Sequence, residues 1–178
     1  MASRSPARIY GSVSADIDGW VEVAWNPPDN WAAVLRIGVL VERNSLLRDW
    51  LFRTVGGFRP VAPDRGLPAN ISPEVARDVA DLQPLVQSGE VGSFTWASWH
   101  ELDAIDWDEG PLPGREVKRI EVQGTRADGS PLLIAHPMTS RRATIEGYSG
   151  WHLLFDLIRR LAQDYGGDNV RLVVWFRV

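Results

Sequence analysis

The first half of the chain alternates apolar and polar positions in a way that predicts a hairpin and a buried strand. Residues 9–13 and 20–24 are rich in strand-forming residues and flank a turn signal at 16–19. Along 20–24, alternate side chains give the strand two distinct faces. Residues 33–41 form a short apolar run that favours a buried strand, although periodicity alone leaves a helix open.

The second half predicts another hairpin and a central strand. Residues 117–122 alternate apolar and charged side chains, 127–129 carry a turn signal, and 132–135 return as a strand. Residues 170–178 are almost continuously apolar in their middle. This pattern is typical of an interior strand that is covered on both faces.

Helix signals lie between these strands. Either Asn44 or Ser45 caps a helix that runs to about residue 55 and ends at Gly56-Gly57. Ser72 and Pro73 begin a second helix that reaches residue 81 or 82, since Pro84 disfavours helix at the residue before it.

Ser98 and Glu101 have the spacing of a capping box, which predicts a helix from Trp99 that does not extend far beyond Trp107. A short extended piece, 93–97, precedes it. A final amphipathic helix covers 151–165 with Ser149 as its cap, and residues 141–150 are interpreted as a loop.

Strands and helices mix without strict alternation, so the sequence predicts an α+β fold. We expect one mixed or antiparallel sheet with two to four helices packed on it. At 178 residues and 44% hydrophobic composition, the chain is expected to form a single domain over 1–178.

Composition narrows the classes of partner. The net charge is −4 and the basic residues are spread along the chain, which disfavours nucleic acid and membranes as partners. The absence of cysteine excludes disulfides and thiolate chemistry, and the opening residues lack the apolar region of a signal peptide. We therefore expect a cytoplasmic protein with no cofactor and no metal.

Four segments carry a resemblance, namely Arg43-Asn44, residues 64–68, residues 93–107 and residues 170–176. Together and in this order they resemble a family of phage and prophage proteins with an Arg-Asn helix, a Pro-Arg-Gly-Leu-Pro loop and a Val-Phe-Trp-Phe final strand. That family has no established activity. The resemblance implies a phage-related or bacterial accessory protein.

The chain also departs from this family. Relatives open with a Met-Gly-Cys-Asp-Ile-His strand, where this chain has residues 7–12, and they carry a histidine before Ser-Trp, where it has Phe94-Thr95-Trp96. If those polar residues form a site in the relatives, it is missing here. This difference favours a role without catalysis.

Nine tryptophans make the chain tryptophan-rich, and aromatic and arginine side chains carry most of the energy at interfaces. Three prolines stiffen the loop over residues 58–72, which we expect to frame a surface for a protein partner or a small ligand. The predicted binding residues are Arg59, Arg65, Trp96, Trp99 and Trp107. For Arg65 the alternative is an internal salt bridge, for which residues 103–109 are one plausible partner, or hydrogen bonds to backbone carbonyls that stabilise the loop.

The competing hypothesis is a hydrolase of a nucleotide-like or similar small substrate. Its predicted catalytic residues are His100, Asp103 and Arg65, because the first two lie on adjacent turns of one helical face. The alternative for His100 and Asp103 is a solvated acidic face. No phosphate-binding glycine loop and no Gly-x-Ser-x-Gly motif occurs, so a non-enzymatic recognition protein is the leading hypothesis.

Overall fold

The computed structural model describes residues 16–25, 30–52 and 57–177. The strands in these ranges are β1 (Asp16–Ala24), β2 (Trp31–Arg36), β3 (Val91–Ser98), β4 (Lys118–Thr125), β5 (Pro131–Pro137) and β6 (Val170–Arg177). The α-helices are α1 (Ser45–Phe52), α2 (Pro73–Ser88), α3 (Trp99–Asp103), α4 (Arg141–Ile145) and α5 (Ser149–Tyr165). Short 3-10 turns at Ile37–Val39 and Gly167–Asn169 follow β2 and α5.

Four strands form an antiparallel sheet in the order β2-β1-β6-β3. In the described residues, β4 and β5 pair only with each other and form a separate two-stranded sheet. The predicted α+β class and antiparallel pairing are confirmed. The second hairpin stands apart from the main sheet, and the described residues contain five α-helices where two to four were expected.

One face of the main sheet carries the larger core. Alternate residues of β6, such as Leu172 and Val174, are fully buried on this face together with Val21 of β1. Helices α1, α3, α4 and α5 all contribute side chains to the same cluster, which includes Trp50 and Trp151. Because α3 and the segments around it pack here, this core fixes the position of the candidate site.

The opposite face is covered by α2. Leu82 packs with Trp175 and with the partly buried Trp20, and Trp20 Nε1 donates a 2.8 Å hydrogen bond to Asp78 of the helix. The helix continues past Pro84 to Ser88, so the predicted stop at residue 81 or 82 is wrong. Apolar burial on both sides of this exposed proline outweighs the hydrogen bond that proline cannot make.

A buried ion pair lies on the same face as α2. Arg171 of β6 donates through Nε to Oε2 of Glu22 in β1 at 2.7 Å, and Glu22 is fully buried. The other carboxylate oxygen accepts a 2.7 Å bond from the backbone of Ser72, the N-cap of α2. Asn70 accepts two bonds from the Arg171 guanidinium, which also stacks 3.7 Å from the Trp31 ring centroid. This network anchors the start of α2 on the sheet.

Several predicted elements are confirmed. β6 is the central strand and is buried along all but its last described residue, and β4 and β5 form the second hairpin. The capping box of α3 is present with both of its hydrogen bonds. Asn44 is the residue that caps α1, because its Oδ1 accepts a 3.0 Å bond from the backbone of Leu47. The predicted end of this helix near residue 55 lies outside the described residues.

Other predictions are wrong for reasons of tertiary packing. The turn signal at 16–19 is part of β1, because these residues pair with residues 174–177 of β6. The apolar run at 33–41 is an edge strand followed by a 3-10 turn. The segment 141–150 contains α4, and Ser149 is the first residue of α5, whose N-cap is Tyr148. The strand predicted at 9–13 lies outside the described residues.

Candidate functional site

The loop between α1 and α2 is tied to the last turn of α1. Backbone amides of Val61 and Ala62 donate to the carbonyls of Trp50 and Leu51 at 3.1 and 2.8 Å. These are carbonyls that the end of a helix leaves without intrahelical partners. The loop therefore has a fixed path, as its prolines predict.

Arg65 in this loop is held by internal contacts. Its guanidinium donates to both carboxylate oxygens of Glu101 at 2.9 and 2.5 Å and to the carbonyl of Trp96 at 2.9 Å. It also stacks 3.7 Å from the centroid of the Trp96 ring. The internal salt bridge considered for Arg65 is present, with Glu101 as its partner instead of an acid from residues 103–109. Arg65 thus fastens the loop to β3 and α3.

Glu101 serves two structures at once. It closes the capping box of α3 by accepting from the Ser98 backbone at 2.9 Å, and it binds Arg65. Desolvation acts to raise the pKa of Glu101, but hydrogen bonds from Arg65 and Ser98 outweigh it and hold the pKa below its usual value. The carboxylate stays ionised, and the ion pair through which Arg65 fastens the loop to α3 depends on that charge.

The three predicted tryptophans do not share one surface. Trp96 lies under Arg65 on the sheet face that α2 covers. Trp107 packs edge-to-face against Trp50 and Phe155, with ring centroids 5.8 and 5.1 Å apart. Trp99 packs against the larger core and lies close to the 3-10 turn after α5. α3 ends at Asp103, within the predicted limit, and Trp107 beyond it packs against the larger core.

A pocket of about 260 Å³ opens between the loop and the end of α3. Its apolar wall consists of Pro60, Val61, Ala104 and Ile105. Of the predicted binding residues, Arg59 lines this pocket, and the Arg65 partner Glu101 does so as well. We call this site the loop pocket.

The loop pocket is also lined by an ion pair that the sequence did not predict. Arg141 is 3% exposed and donates through Nε to Glu109 at 2.9 Å and through Nη2 to the carbonyl of Arg59 at 2.6 Å. Its guanidinium also lies 4.9 Å from the Trp50 ring centroid. Glu109 and Arg141 are 32 residues apart and Arg141 lies in a segment interpreted as loop, so no local pattern signalled the pair.

Two charges remain at the rim of the loop pocket. The carboxylates of Glu101 and Glu109 are occupied by Arg65 and Arg141. Arg59 is exposed and forms no ion pair within the described ranges, and the side chain of Asp106 is bound only by the backbone of Asp108. The pocket therefore presents an apolar wall with one cation and one anion beside it.

Each residue of the hydrolase hypothesis has a partner of its own or faces solvent. His100 is paired with Asp168 at 2.9 Å, and both side chains are largely exposed. Arg65 is bound to Glu101, and Asp103 points to solvent at the end of α3. Within residues 16–25, 30–52 and 57–177, no three His, Cys, Asp or Glu side chains are grouped closely enough to hold a metal ion.

Comparison with known proteins gave no match to a family model, to a curated protein or to a solved structure. The resemblance to phage proteins therefore stays a prediction. No helix in the described part of the chain combines the length and the apolar character needed to cross a bilayer.

Proposed function

We propose that this chain is a non-enzymatic recognition protein whose loop pocket receives one large apolar side chain from a protein partner. The observation that carries the proposal is the pocket itself, an apolar recess of about 260 Å³ on a loop that hydrogen bonds hold in place. A preorganised recess loses little entropy on binding, and such recesses are where interface energy concentrates.

The size of the loop pocket suits a single aromatic or long aliphatic side chain. Burying an aromatic side chain removes about 150 to 250 Å² from water, which at about 25 cal/mol per Å² amounts to roughly 4 to 6 kcal/mol before the costs of association. An anchor of this kind can be the hot spot of a complex, and contacts around the pocket must supply the rest of the affinity.

Charge at the rim limits the kind of partner. Arg59 can form a bidentate pair with a carboxylate, and Asp106 can accept from a basic or amide side chain. The partner segment should therefore carry an acidic residue next to its apolar anchor and a hydrogen-bond donor on the other side. Glu101 and Glu109 add no free charge, since each already has an arginine partner.

A recognition role agrees with the ion pairs that two candidate catalytic side chains form within the protein. Arg65 and His100, two of the three residues of the hydrolase hypothesis, are each paired with a different carboxylate. Inhibitor, immunity and phage accessory roles are all forms of this proposal.

A peptide selection tests the proposal. Random 12-residue peptides displayed on phage are selected on the wild-type protein and on Ala104→Trp, which fills the pocket from an exposed position at the end of α3. The matched control is Ala80→Trp, which changes another exposed alanine, on α2 and outside the pocket. Selected peptides are then titrated against each protein and against Arg59→Glu.

The expected peptides share an aromatic or large aliphatic residue beside an acidic one. They should bind the wild type and Ala80→Trp equally, and lose about tenfold or more in affinity on Ala104→Trp, since the apolar anchor contributes more than 1.4 kcal/mol. Arg59→Glu should bind these peptides more weakly, because the new carboxylate repels their acidic residue. Selection without a shared apolar anchor, or equal binding to Ala104→Trp, would refute the proposal.

A further inference from the structure

A second recess lies at the other end of the main sheet from the loop pocket. Arg177, at the end of β6, pairs with Val91 at the start of β3, whereas α3 and the loop pocket follow Ser98 at the opposite end of β3. Arg177 and Arg43 both line this recess, which has a volume of about 580 Å³. We call it the arginine cleft, and it is independent of the loop pocket.

The two arginines project from rigid backbone. Arg177 is the last residue of the central strand and is paired in register with β1 on one side and β3 on the other. Arg43 directly precedes Asn44, a buried residue that caps α1 and donates a 2.8 Å bond to the carbonyl of Thr144. Side chains on fixed backbone positions bind a ligand with less ordering cost.

The carboxylates of the arginine cleft already have partners. Asp18 accepts from Arg36 at 2.9 Å and from the backbone of Gly19 at 2.8 Å, and Arg36 has a second acid, Asp78, at 3.7 Å. These contacts commit Asp18 and Arg36 to each other and to the helix that covers the sheet.

Glu42, the other acid of the cleft, is bound to the start of α5. It accepts from the backbone of Gly150 at 3.1 Å and from the hydroxyl of Ser149 at 3.2 Å. The helix N-terminus stabilises this negative charge. Arg177, in contrast, has no ion pair in the part of the chain that the structure describes.

The arginine cleft also exposes apolar surface. Val39, in the 3-10 turn after β2, is 87% exposed, the largest value among the exposed apolar side chains of the described residues. Ile17 and Val41 line the same recess. A volume of about 580 Å³ falls within the range of about 300 to 1,000 Å³ that is typical of small-molecule sites.

We propose that the arginine cleft binds a small amphipathic anion, with its carboxylate or phosphate group on Arg177 beside Arg43 and its apolar body against Val39. Guanidinium groups bind both kinds of oxyanion through paired hydrogen bonds. A neutral or cationic ligand of the same shape would leave Arg177 without a partner.

Calorimetric titration with defined probes tests this inference. Phenyl phosphate and phenylacetate supply the two anionic groups on a similar apolar body, benzyl alcohol is the neutral counterpart and inorganic phosphate is the head group alone. We expect saturable binding of at least one of the two aromatic anions, weaker binding of inorganic phosphate, and none of benzyl alcohol. The better of the two aromatic anions identifies the preferred head group.

Variants locate the binding site. Arg177→Ala should weaken the anionic probe about tenfold or more, as expected when a charge-assisted hydrogen bond is lost, and Val39→Asp should weaken it through repulsion. Arg126→Ala is the matched control, because Arg126 is exposed at the tip of the β4–β5 hairpin and its hydrogen bonds in the described residues stay within that turn. Circular dichroism checks the fold of each variant, and Arg43→Gln serves as a second variant if Arg177→Ala is unstable.

The inference is overturned if neither aromatic anion binds, if benzyl alcohol binds as well as they do, or if Arg177→Ala and Arg43→Gln both leave the affinity unchanged. These outcomes do not depend on the peptide selection, since the peptides report on the loop pocket. Each proposal can therefore fail alone.

Discussion

Replacing Arg171 with methionine should destabilise the protein more than any surface substitution. Arg171→Met keeps much of the side-chain volume but leaves the fully buried carboxylate of Glu22 without its ionic partner. Removing one member of a buried pair costs about 3 to 5 kcal/mol, because the other charge stays desolvated. The stack on Trp31 adds to this loss, since its centroid lies 3.7 Å from the guanidinium.

The expected loss of free energy can be converted into a fall in melting temperature for a chain of this length. For proteins of about 150 to 250 residues, each kcal/mol shifts the melting temperature by about 2 to 4 °C, so a loss of about 4 kcal/mol should lower it by roughly 8 to 16 °C. Burial lowers the pKa of Arg171 although Glu22 acts to raise it, so desolvation is the larger effect. The pair therefore stabilises the fold mainly by avoiding an unpaired charge.

Urea unfolding followed by tryptophan fluorescence, with calorimetry alongside, measures the effect. The double variant Glu22→Leu/Arg171→Met removes both charges and should be more stable than Arg171→Met alone. Arg160→Met is the matched control, because the Arg160–Asp164 pair is exposed on α5 and should contribute less than about 1 kcal/mol. A loss below about 1 kcal/mol for Arg171→Met, or a double variant less stable than it, would refute this reasoning.

Three further predictions concern the Arg65–Glu101 ion pair that fastens the loop and the start of α5. The pKa of Glu101 is depressed, so its ionised form stabilises the fold above its usual pKa of 4.5, and this contribution is lost as the pH falls. The difference in urea midpoint between the wild type and Glu101→Gln should therefore become smaller from pH 7 to pH 3. A constant difference would contradict this prediction. Arg65→Ala should speed proteolytic cleavage of the loop. Arg59→Ala changes the same loop at a residue that has no ion pair in the described part of the chain, so it should not speed cleavage, and equal rates would show that Arg65 does not fasten the loop. A change from glycine to alanine normally stabilises a helix by about 0.5 to 1 kcal/mol. In Gly150→Ala, however, the new Cβ would lie 2.1 Å from the Leu40 carbonyl oxygen, so calorimetry should show that the free energy of unfolding falls by about 1 to 3 kcal/mol.

The sequence predicted correctly those elements that depend on residues close to one another in the chain. The capping box at Ser98 and Glu101 and the glycine turn of the second hairpin depend on residues a few positions apart, and both are present. The apolar run that became β6 identified an interior strand because burial on both faces leaves a continuous pattern.

Elements that depend on distant partners were not predictable in this way. The turn signal at 16–19 became strand because β6 supplies pairing residues more than 150 positions away. α2 runs through Pro84 because Trp175 and Trp20 offer an apolar surface that only the assembled sheet presents. Local propensity is outweighed wherever such tertiary burial is large.

The candidate site shows the same division. The prolines predicted a stiff loop, and an internal salt bridge was one of the alternatives for Arg65. Its partner, Glu101, lies outside residues 103–109 and was expected only to cap α3. The expected convergence of Trp96, Trp99 and Trp107 failed, because strand alternation and core packing place Trp96 and Trp107 on opposite sides of the sheet. Arg141 had no signal, since its role depends on contacts 32 and 82 residues away.

The central position of β6 has a consequence for biosynthesis. β1 and β3 are joined only through this strand, and the ribosome makes it after every other element described here. Until residues 170–177 emerge, the nascent chain cannot complete the four-stranded sheet and must keep several indole rings in contact with water. Completion of the sheet should therefore wait until residues 170–177 have left the ribosome, and a translational stall just before residue 170 should yield a product that chaperones retain.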